Sequence, residues 1–464
     1  MLNILKEIEA RYQVDKILVN GEQVWPLLRI KYHYIYNKTT SEQDILSTLK
    51  DQSLIHKIKM IKNIFYGLLN WFGRYDFMAI SNSREGIKKK INNAYYDRLI
   101  DPIIDVIGKD SFLYVEKPFP IHHPKKEVHT KRVVSYYFII FLVYILEKFI
   151  KLPKIEGMKT LESIKKDYNI IINEHTLLKH FYSKKKVFKI IYKVLRPKMI
   201  FIVSYYDNMA AIKAAKELGI GVVEVQHGSI GNEHPAYNTL LDLDDTYFPD
   251  YLLAFGERDI TPFVRSKIID HENVCPIGSY YLEYVKEQLK PDSRLIKELS
   301  KYKRRVGVTL QWTVEEKVID FVVKAALLDR SILYLLIPRH PIQRDYSNLK
   351  LPENVEVTTD KDFYETMMYV DFHSTAYSTC ALEAPSLGVQ NIMINVDDTS
   401  KIHFEKVLDD KNITKFVDTP EEYVEAILYF KILGVQTIIQ SNEKNIVSNY
   451  IENLNKFIKK LDIE

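Results

Sequence analysis

The sequence predicts an α/β protein of two Rossmann-like, doubly wound domains that face a central cleft. Two sets of short apolar strands alternate with helices, and a polar, charged segment at residues 286–305 separates the two sets. At 464 residues the chain also exceeds what one hydrophobic core usually organises. Its 46% hydrophobic and 27% charged residues are ordinary for a globular protein, which excludes a disordered or fibrous chain.

The first set contains a βαβ unit. MIFIVS at residues 199–204 and VVEVQ at 222–226 predict strands, and a helix is expected between them at 208–218. Two strands joined through a helix lie parallel, with a right-handed crossover. Further strands are expected at residues 77–81, 111–115, 251–255 and 274–277.

The second set runs from about residue 306 to residue 395. Strands are predicted at 306–310, 332–337, 355–358, 369–372 and 391–395, and helices at 314–328, 363–368 and 380–387. The resulting organisation is an N-terminal domain at 1–290 with helical insertions, a C-terminal domain at 300–440, and a C-terminal helix at 441–464 that packs back on the domains.

The charge balance gives no sign of nucleic-acid binding. The chain has 65 Lys+Arg and 61 Asp+Glu, and a formal net charge of +4 is too small at this length for wrapping nucleic acid. Cys275 and Cys380 lie far apart and outside any metal-ligand spacing, which favours a reducing compartment. The first residues lack the pattern of a secretory signal, so the predicted location is the cytoplasm or the inner face of the cytoplasmic membrane.

An apolar run at residues 133–146 follows a basic stretch at 122–132. The run is shorter than the roughly 20 residues that a spanning helix needs, so it is not expected to cross a bilayer. Two interpretations stay open for the stretch from Lys125 to Leu146. It forms a helix buried in the core, or it makes peripheral contact with an anionic membrane surface.

The segment DFHSTAYSTCALEAPSLG at residues 371–388 predicts a strand end, a loop of small residues and a helix. Ligands of open α/β sheets bind at the carboxyl ends of strands, and a helix N-terminus with nearby hydroxyls suits a phosphate. Glu383, one turn into the helix, is placed to accept hydrogen bonds from a ribose diol. The candidate phosphate-binding residues here are His373, Ser374, Thr375, Ser378 and Thr379. The alternative is that the hydroxyls only cap the helix and that Glu383 is solvated.

A second segment, IPRHP at residues 337–341, ends a neighbouring strand. Arg339 and His340 can both donate to a phosphate, and Pro341 follows them. An Arg-His-Pro sequence alone is more often an ordinary loop. Its convergence with the Ser/Thr loop predicts one shared site for a phosphorylated ligand.

A third segment, VQHGSIGNEHPAY, follows a strand of the first domain. His227, between Gln226 and Gly228, could take a proton from a hydroxyl, since imidazole titrates near neutral pH. The sequence ranks His227 first because the strand fixes its backbone. Asp207 ranks second because it could be occupied as a helix cap, and Glu233 third because it lies in a Gly-flanked loop. The alternative is a histidine that only stabilises the loop.

In this order the motifs resemble those of bacterial GT-B glycosyltransferases of capsule and lipopolysaccharide synthesis, the enzymes of surface-polysaccharide assembly. The shared order is QHG, FGE at 255–257, a Pro-x-Gly turn at 276–278, TLQ at 309–311, RHP, and HST with a downstream Glu. The resemblance covers residues 198–395. The residues that it places on the donor are Arg339, His340, Ser374 and Thr375 at the phosphate and Glu383 at the ribose, with Gln311 as a further cleft residue.

The implied nucleotide is open. The His-Pro and Ser/Thr motifs are similar to those of transferases that use CMP-activated ulosonic acids, such as sialic acid or Kdo. The EAPSLG stretch looks like that of non-hydrolysing UDP-N-acetylglucosamine 2-epimerases, and the His-Gly and His-Pro signatures also occur in CDP-glycerol phosphotransferases. The donor could therefore carry CMP, UDP or CDP.

The predicted function is transfer of a sugar from a nucleotide-activated donor on the C-terminal domain to a glycan or lipid-linked glycan hydroxyl on the N-terminal domain. The sequence DLDD at 242–245 resembles the Asp-x-Asp pair of the other large glycosyltransferase fold, but its polar surroundings favour a surface turn. Neither a metal nor a cofactor is expected. The non-enzymatic alternative is a nucleotide-sugar-binding subunit of a polysaccharide assembly complex.

Overall fold

The computed structural model describes residues 4–37, 63–83, 87–118, 121–151, 154–231, 234–266, 268–311, 313–338 and 345–461. The chain forms two compact units. Unit 1 comprises Met1–Ala254, Asp259–Cys275 and Leu454–Glu464, and unit 2 comprises Phe255–Arg258 and Pro276–Asn453. Unit 2 therefore begins before the charged segment at residues 286–305.

The first sheet lies in unit 1. In chain order, the strands from residue 18 to residue 276 are β1 Leu18–Val19, β2 Glu22–Gln23, β3 Phe77–Asn82, β4 Lys88–Ile91, β5 Ala94–Asp97, β6 Phe112–Lys117, β7 Val133–Ser135, β8 Met199–Val203, β9 Gly221–Val225, β10 Tyr251–Ala254 and β11 Val274–Pro276. Seven of them form one sheet in the order β11-β10-β9-β8-β3-β6-β7. The pairs from β10 to β7 are parallel, whereas β1–β2 and β4–β5 are antiparallel.

The helices of unit 1 cover this sheet. They are Ile4–Arg11, Trp25–Tyr36, Asp101–Ile107, Tyr136–Glu147, Met158–Tyr168, Glu174–Leu195 and Tyr205–Lys216, with 3-10 helices that include Val14–Lys16, Leu68–Phe72 and Asp245–Tyr247. Strands β3, β6 and β8 are buried almost throughout, as expected for a parallel sheet covered on both faces. Four buried alanines of the helix Tyr205–Lys216 pack in this core.

The second sheet lies in unit 2. Its strands are β12 Arg304–Thr309, β13 Ile332–Ile337, β14 Val355–Val357, β15 Phe372–Ser374, β16 Gln390–Ile394 and β17 Thr414–Val417. They are all parallel, in the order β14-β13-β12-β15-β16-β17. The helices are Tyr280–Gln288, Ser293–Leu299, Glu315–Leu328, Phe363–Thr366, Cys380–Ser386, Thr399–Phe404, Pro420–Tyr429 and Val435–Asn442, and the helix Tyr450–Lys460 leads back into unit 1.

Two doubly wound parallel sheets confirm the predicted fold class. The helix expected at 208–218 begins three residues earlier, and the strand expected at 369–372 lies instead at Phe372–Ser374. Asp371 lies just before that strand, and its carboxylate accepts two hydrogen bonds from the Arg305 guanidinium and one from the Arg305 N–H. Strands β7 and β17 and the two antiparallel pairs are not predicted by the sequence pattern.

The apolar run at residues 133–146 is a short strand followed by a helix. Val133–Ser135 pairs with β6 as the edge strand β7, and the helix Tyr136–Glu147 begins at once. The Ser135 hydroxyl caps this helix by accepting from Tyr137 N at 3.2 Å. Within the described residues no helix is long and apolar enough to cross a membrane.

Two glycines of the resemblance motifs have a packing role in unit 2. A Cβ on Gly256 would lie 2.4 Å from Asn445 O, and one on Gly278, where φ is +88°, would lie 2.2 Å from Val447 O. The backbone pairs at the same place, since Val447 N donates to Phe255 O at 2.9 Å. The FGE and Pro-x-Gly motifs thus hold the segment at residues 444–448.

Candidate functional site

The winding of unit 2 reverses between β12 and β15, so these strands end side by side. Val308 of β12 is in register with Ser374 of β15. In open α/β sheets ligands bind outside the strand ends at this reversal. We call residues 309–311 and 375–379, which follow the two strands, the paired loops of unit 2.

Direct hydrogen bonds join the paired loops. Thr375 Oγ1 donates to Thr309 O at 2.9 Å, and Tyr377 N donates to Gln311 Oε1 at 2.8 Å. The Tyr377 ring stacks on His403 with centroids 5.2 Å apart, and its hydroxyl bonds to that of Thr313. Because Gln311 and Tyr377 are only half-buried, the joined loops present an amide and an aromatic ring at the sheet edge.

His373 lies beneath the paired loops and is fully buried. The Asn391 amide donates to Ala381 O at 2.7 Å, so its oxygen faces His373 Nδ1 at 2.8 Å and that nitrogen carries the proton. Nε2 then accepts from the Thr309 hydroxyl at 2.9 Å. This geometry gives His373 a positioning role, and its contact with a phosphate stays a prediction.

The other hydroxyls of the segment are differently placed. Ser374 is buried, and its Oγ accepts from the Tyr423 hydroxyl at 2.7 Å. Ser378 is also buried, and its Oγ accepts from Cys380 N at 3.3 Å, so it caps the seven-residue helix Cys380–Ser386. Thr379 is half-buried at the loop end. Capping by Ser378 is the alternative that the sequence left open.

Glu383 is buried, so the alternative prediction that this residue is solvated was wrong. Only 8% of its surface is exposed, and its Oε2 accepts from the Tyr364 hydroxyl at 2.9 Å. The Tyr364 ring packs edge-to-face on Tyr281 and Phe363, and Phe363 packs on His373. The carboxylate is thus held in one orientation beside the paired loops. Its ribose contact stays a prediction.

The predicted donor-phosphate residues Arg339, His340 and Pro341 lie outside the described residues, between β13 and residue 345. Strand β13 itself is adjacent to β12. Its carboxyl end therefore reaches the same edge of the sheet as the paired loops. The roles of these three residues stay predictions.

In unit 1 the ends of β8 and β9 lie side by side, since Val203 pairs with Val225. His227 follows β9 and is half-buried, with Nε2 3.3 Å from the Tyr206 hydroxyl. The Gln226 side chain is buried and donates to Gly228 O at 2.9 Å, which shapes the turn. A Cβ on Gly228 would meet no protein atom within 4 Å, so the space beside this turn is open.

Asp207 lies in the first turn of the helix Tyr205–Lys216, not before it. Its Oδ2 accepts from the Ser204 hydroxyl at 2.8 Å. Ser204 has φ of +64°, a left-handed conformation that is uncommon outside glycine. The carboxylate is therefore fixed at the helix start, near β8. The third candidate base, Glu233, lies outside the described residues.

Glu224 of β9 is a buried carboxyl that the sequence analysis missed. Its Oε1 accepts from Tyr205 N at 2.9 Å and from the Tyr237 hydroxyl at 2.8 Å, and its Oε2 is buried with no hydrogen-bond partner. Burial, with a smaller contribution from the Asp207 charge, raises the pKa of Glu224 to about 8. The sequence feature that could have identified Glu224 is its position as the one acidic residue in the predicted strand VVEVQ.

A buried ion pair holds the loop that follows His227. Arg29 Nε donates to Glu9 Oε1 at 2.8 Å, and the guanidinium also donates to Pro235 O and Asn238 O. Glu9 Oε2 accepts from Leu240 N at 2.9 Å. The first two helices of the chain thus fix the backbone at residues 235–240.

The DLDD sequence is used within the fold. Asp244 accepts from Lys213 Nζ at 2.9 Å and caps the 3-10 helix Asp245–Tyr247 through Thr246 N. Within the described ranges no group of three or more His, Cys, Asp or Glu side chains could hold a metal ion.

No family model and no curated protein matches this sequence. Among solved structures, S. aureus MnaA with UDP has a TM-score of 0.52 at 11% identity, over 84% of this chain and 98% of that one. The Methanocaldococcus jannaschii UDP-GlcNAc 2-epimerase with UDP-GlcNAc and UDP has a TM-score of 0.50 at 14% identity, over 84% and 99%. CalG4, the calicheamicin glycosyltransferase, has a TM-score of 0.51 at 12% identity, over 84% and 99%. At these identities the likeness establishes the fold, which is GT-B.

Proposed function

We propose that this chain is a metal-independent glycosyltransferase that moves a sugar from a nucleotide-activated donor to an acceptor hydroxyl. The observation that carries the proposal is the hydrogen-bonded pair of loops at the winding reversal of unit 2. A surface that is ordered before the ligand arrives loses less entropy on binding. The paired loops have this property.

The groups around the paired loops suit a nucleotide. The half-buried Tyr377 ring can stack on a base, and the Gln311 amide nitrogen can donate to a carbonyl or a phosphate. Glu383 can accept from a ribose diol while Tyr364 holds its other oxygen. The neighbouring structures support this assignment, because the MnaA and epimerase structures contain UDP.

The groups at the ends of β8 and β9 suit proton transfer. In a direct displacement a base removes the proton of the acceptor hydroxyl, whose oxygen then bonds to the anomeric carbon. The bond from that carbon to the donor phosphate breaks, and the nucleotide leaves with the electron pair. We assign the base to His227, with Asp207 as the rival, and the raised pKa of Glu224 keeps that carboxyl largely neutral at pH 7.

Nucleotide binding is tested first. Isothermal titration with CMP, CDP, UDP and GDP should give one preferred ligand, and Gln311→Ala should weaken it by about tenfold, the scale of a hydrogen bond to a charged group. Asn395→Ala is the matched control, since Asn395 follows β16 at the same sheet edge and its side chain bonds to Asp398, Asp418 and the helix Thr399–Phe404. Binding that is absent for all four nucleotides, or equal in both variants, contradicts the site.

The reaction is tested with the preferred nucleotide carrying a sugar. His227→Ala should abolish transfer to a glycan acceptor while nucleotide affinity changes by no more than a few-fold. An active His227→Ala chain beside an inactive Asp207→Ala chain moves the base to Asp207. If NMR shows that the chain converts UDP-GlcNAc to its 2-epimer without an acceptor, the proposed activity becomes that of an epimerase and not of a transferase. Nucleotide binding without turnover favours a binding subunit.

A further inference from the structure

Large apolar side chains of unit 1 are exposed on two short elements. Leu69 and Phe72 of the 3-10 helix Leu68–Phe72 are 83% and 82% exposed, and Tyr144 of the helix Tyr136–Glu147 is 62% exposed. Phe149, just after that helix, is 78% exposed. Together with Phe141 and Ile145, which are also exposed, we call these residues the apolar patch.

The two elements that carry the apolar patch are adjacent. The Trp71 and Phe138 rings are 5.9 Å apart, and Asn70 donates to Val133 O at 3.0 Å. On a helix, residues three and seven positions after Phe138 lie on the same side, and these are Phe141 and Ile145. The exposed side of the helix therefore continues the surface formed by Leu68–Phe72.

The opposite side of the helix is anchored in the core. Tyr136, Ile139 and Val143 are buried. The capping Ser135 hydroxyl also bonds to His122 at 2.8 Å, and His122 bonds to the buried Glu116 at 2.6 Å. The helix thus packs in the core through its inner face, and the apolar side chains of the patch lie on its outer, exposed face.

Positive charge borders the apolar patch. Residues 121–151 contain six Lys or Arg and two Glu. Arg132 is paired with Asp110, and Glu147 with His180, but the side chains of Lys125, Lys126, Lys148 and Lys151 are exposed. Lys148 Nζ lies 4.6 Å from the centre of the Tyr144 ring, at the edge of the patch.

We propose that the apolar patch and its bordering lysines dock unit 1 on an anionic lipid bilayer. Exposed aromatic side chains favour the boundary between headgroups and acyl chains, and lysines beside them are attracted to anionic headgroups. The charge favours an anionic bilayer over an apolar protein partner. Lys148 lies at the Tyr144 ring of the patch, and Lys125 Nζ lies 5.4 Å from the centre of the Tyr66 ring, two residues before the 3-10 helix Leu68–Phe72. Of the two glutamates in residues 121–151, Glu147 is paired with His180. The surface stands independently of the transferase proposal.

The test is flotation of the full chain with vesicles of phosphatidylcholine alone or mixed with phosphatidylglycerol. Binding should require the anionic lipid and fall as salt rises from about 0.1 M to about 1 M, where the Debye length shrinks from roughly 10 Å to roughly 3 Å. Lys125→Gln with Lys126→Gln should lower binding by about fivefold for each lysine. Tyr144→Ser with Phe149→Ser should lower it by about tenfold or more.

Two controls keep the result specific. Leu327→Ser with Tyr429→Ser removes equally exposed apolar side chains from unit 2 and should leave flotation unchanged. In a Trp312→Phe background, vesicles with brominated acyl chains should quench Trp71 fluorescence, so that the quenching disappears in Trp71→Phe and persists in Trp25→Phe, whose indole is buried. The proposal is overturned if the chain binds neutral vesicles equally well or binds no vesicles. It is also overturned if the chain sediments as a dimer and the Tyr144→Ser, Phe149→Ser variant sediments as a monomer, because the apolar patch then contacts a second copy of the chain.

Discussion

Removal of Arg29 should destabilise unit 1 far more than loss of a surface charge. The guanidinium is buried, pairs with Glu9 and donates to the carbonyls of Pro235 and Asn238. In Arg29→Met the Glu9 carboxylate stays buried with three donors, the Trp25 indole, the Thr239 hydroxyl and Leu240 N. Breaking one partner of a buried pair costs about 3–5 kcal/mol, and the remaining donors place the expected loss at the lower end.

A double-mutant cycle separates the ion pair from the packing around it. Glu9→Leu alone leaves the guanidinium buried with only carbonyl acceptors, whereas Glu9→Leu with Arg29→Met leaves neither charge. The double variant should therefore cost less than the sum of the single variants by about 2 kcal/mol. The free energies come from urea unfolding followed by Trp25 fluorescence in a Trp71→Phe, Trp312→Phe background, since the Trp25 indole bonds directly to Glu9.

A cost below about 1 kcal/mol for Arg29→Met, together with an additive double variant, would contradict a coupled buried ion pair. That result would show that the unit tolerates a buried unpaired carboxylate, or that water reaches it. Lys198→Met is the comparison, because its ion pair with Asp76 is largely exposed and such pairs contribute about 0–1 kcal/mol.

Three further predictions concern both units. Because the pKa of Glu224 is raised from 4.5 to about 8, the folded state keeps a proton that the unfolded state releases. The contribution of Glu224 to the stability of unit 1 is therefore complete below about pH 4.5 and is lost as the pH rises toward about 8. Glu224→Gln should flatten the dependence of the melting temperature on pH between those two values. Thr309→Val removes the hydroxyl that donates to the buried His373 Nε2 and should cost unit 2 about 1–3 kcal/mol in urea unfolding, whereas Thr358→Val, whose hydroxyl doubles a backbone bond to Leu336 O, should cost less. Arg339→Ala and His340→Ala should each cost about 2–4 kcal/mol of transition-state stabilisation in kcat/KM with an unchanged melting temperature, and near-normal turnover in either would remove its phosphate role.

The fold could be predicted from the sequence because a buried strand of a parallel sheet is recognised from its own residues. Apolar runs such as MIFIVS and ILYLLI are buried on both faces of a parallel sheet, and a strand of that kind needs no distant partner to be recognised. Short edge strands have no such signal. Val133–Ser135 extends for three residues into a helix, and only its pairing with β6 makes it a strand.

For the candidate site, the sequence predicted which residues lie at strand ends, because that depends on neighbouring residues. It could not predict which way their side chains face, because that depends on residues distant in the sequence. The segment HST was correctly placed at a strand end, yet whether His373 faces a ligand or Asn391 depends on a residue 18 positions away. Glu224 was missed because its role depends on Tyr205, which begins a helix, and Tyr237, which lies in a loop, and both are distant from it in sequence.

The path of the chain through the two units also affects how the protein is made. Unit 1 receives its first 254 residues early, but the residues from Leu454 onward, including Phe457 with its ring 5.7 Å from that of Tyr251, follow the whole of unit 2. Domains fold as they emerge, at about 5–20 residues per second during synthesis. The ribosome therefore needs roughly ten to thirty-five seconds after the last strand of unit 1 before it delivers the helix that completes the unit. During that interval the Tyr251 ring lacks its contact with Phe457, so the packing of unit 1 at this strand is completed only after residues 276–453 of unit 2 have been synthesised.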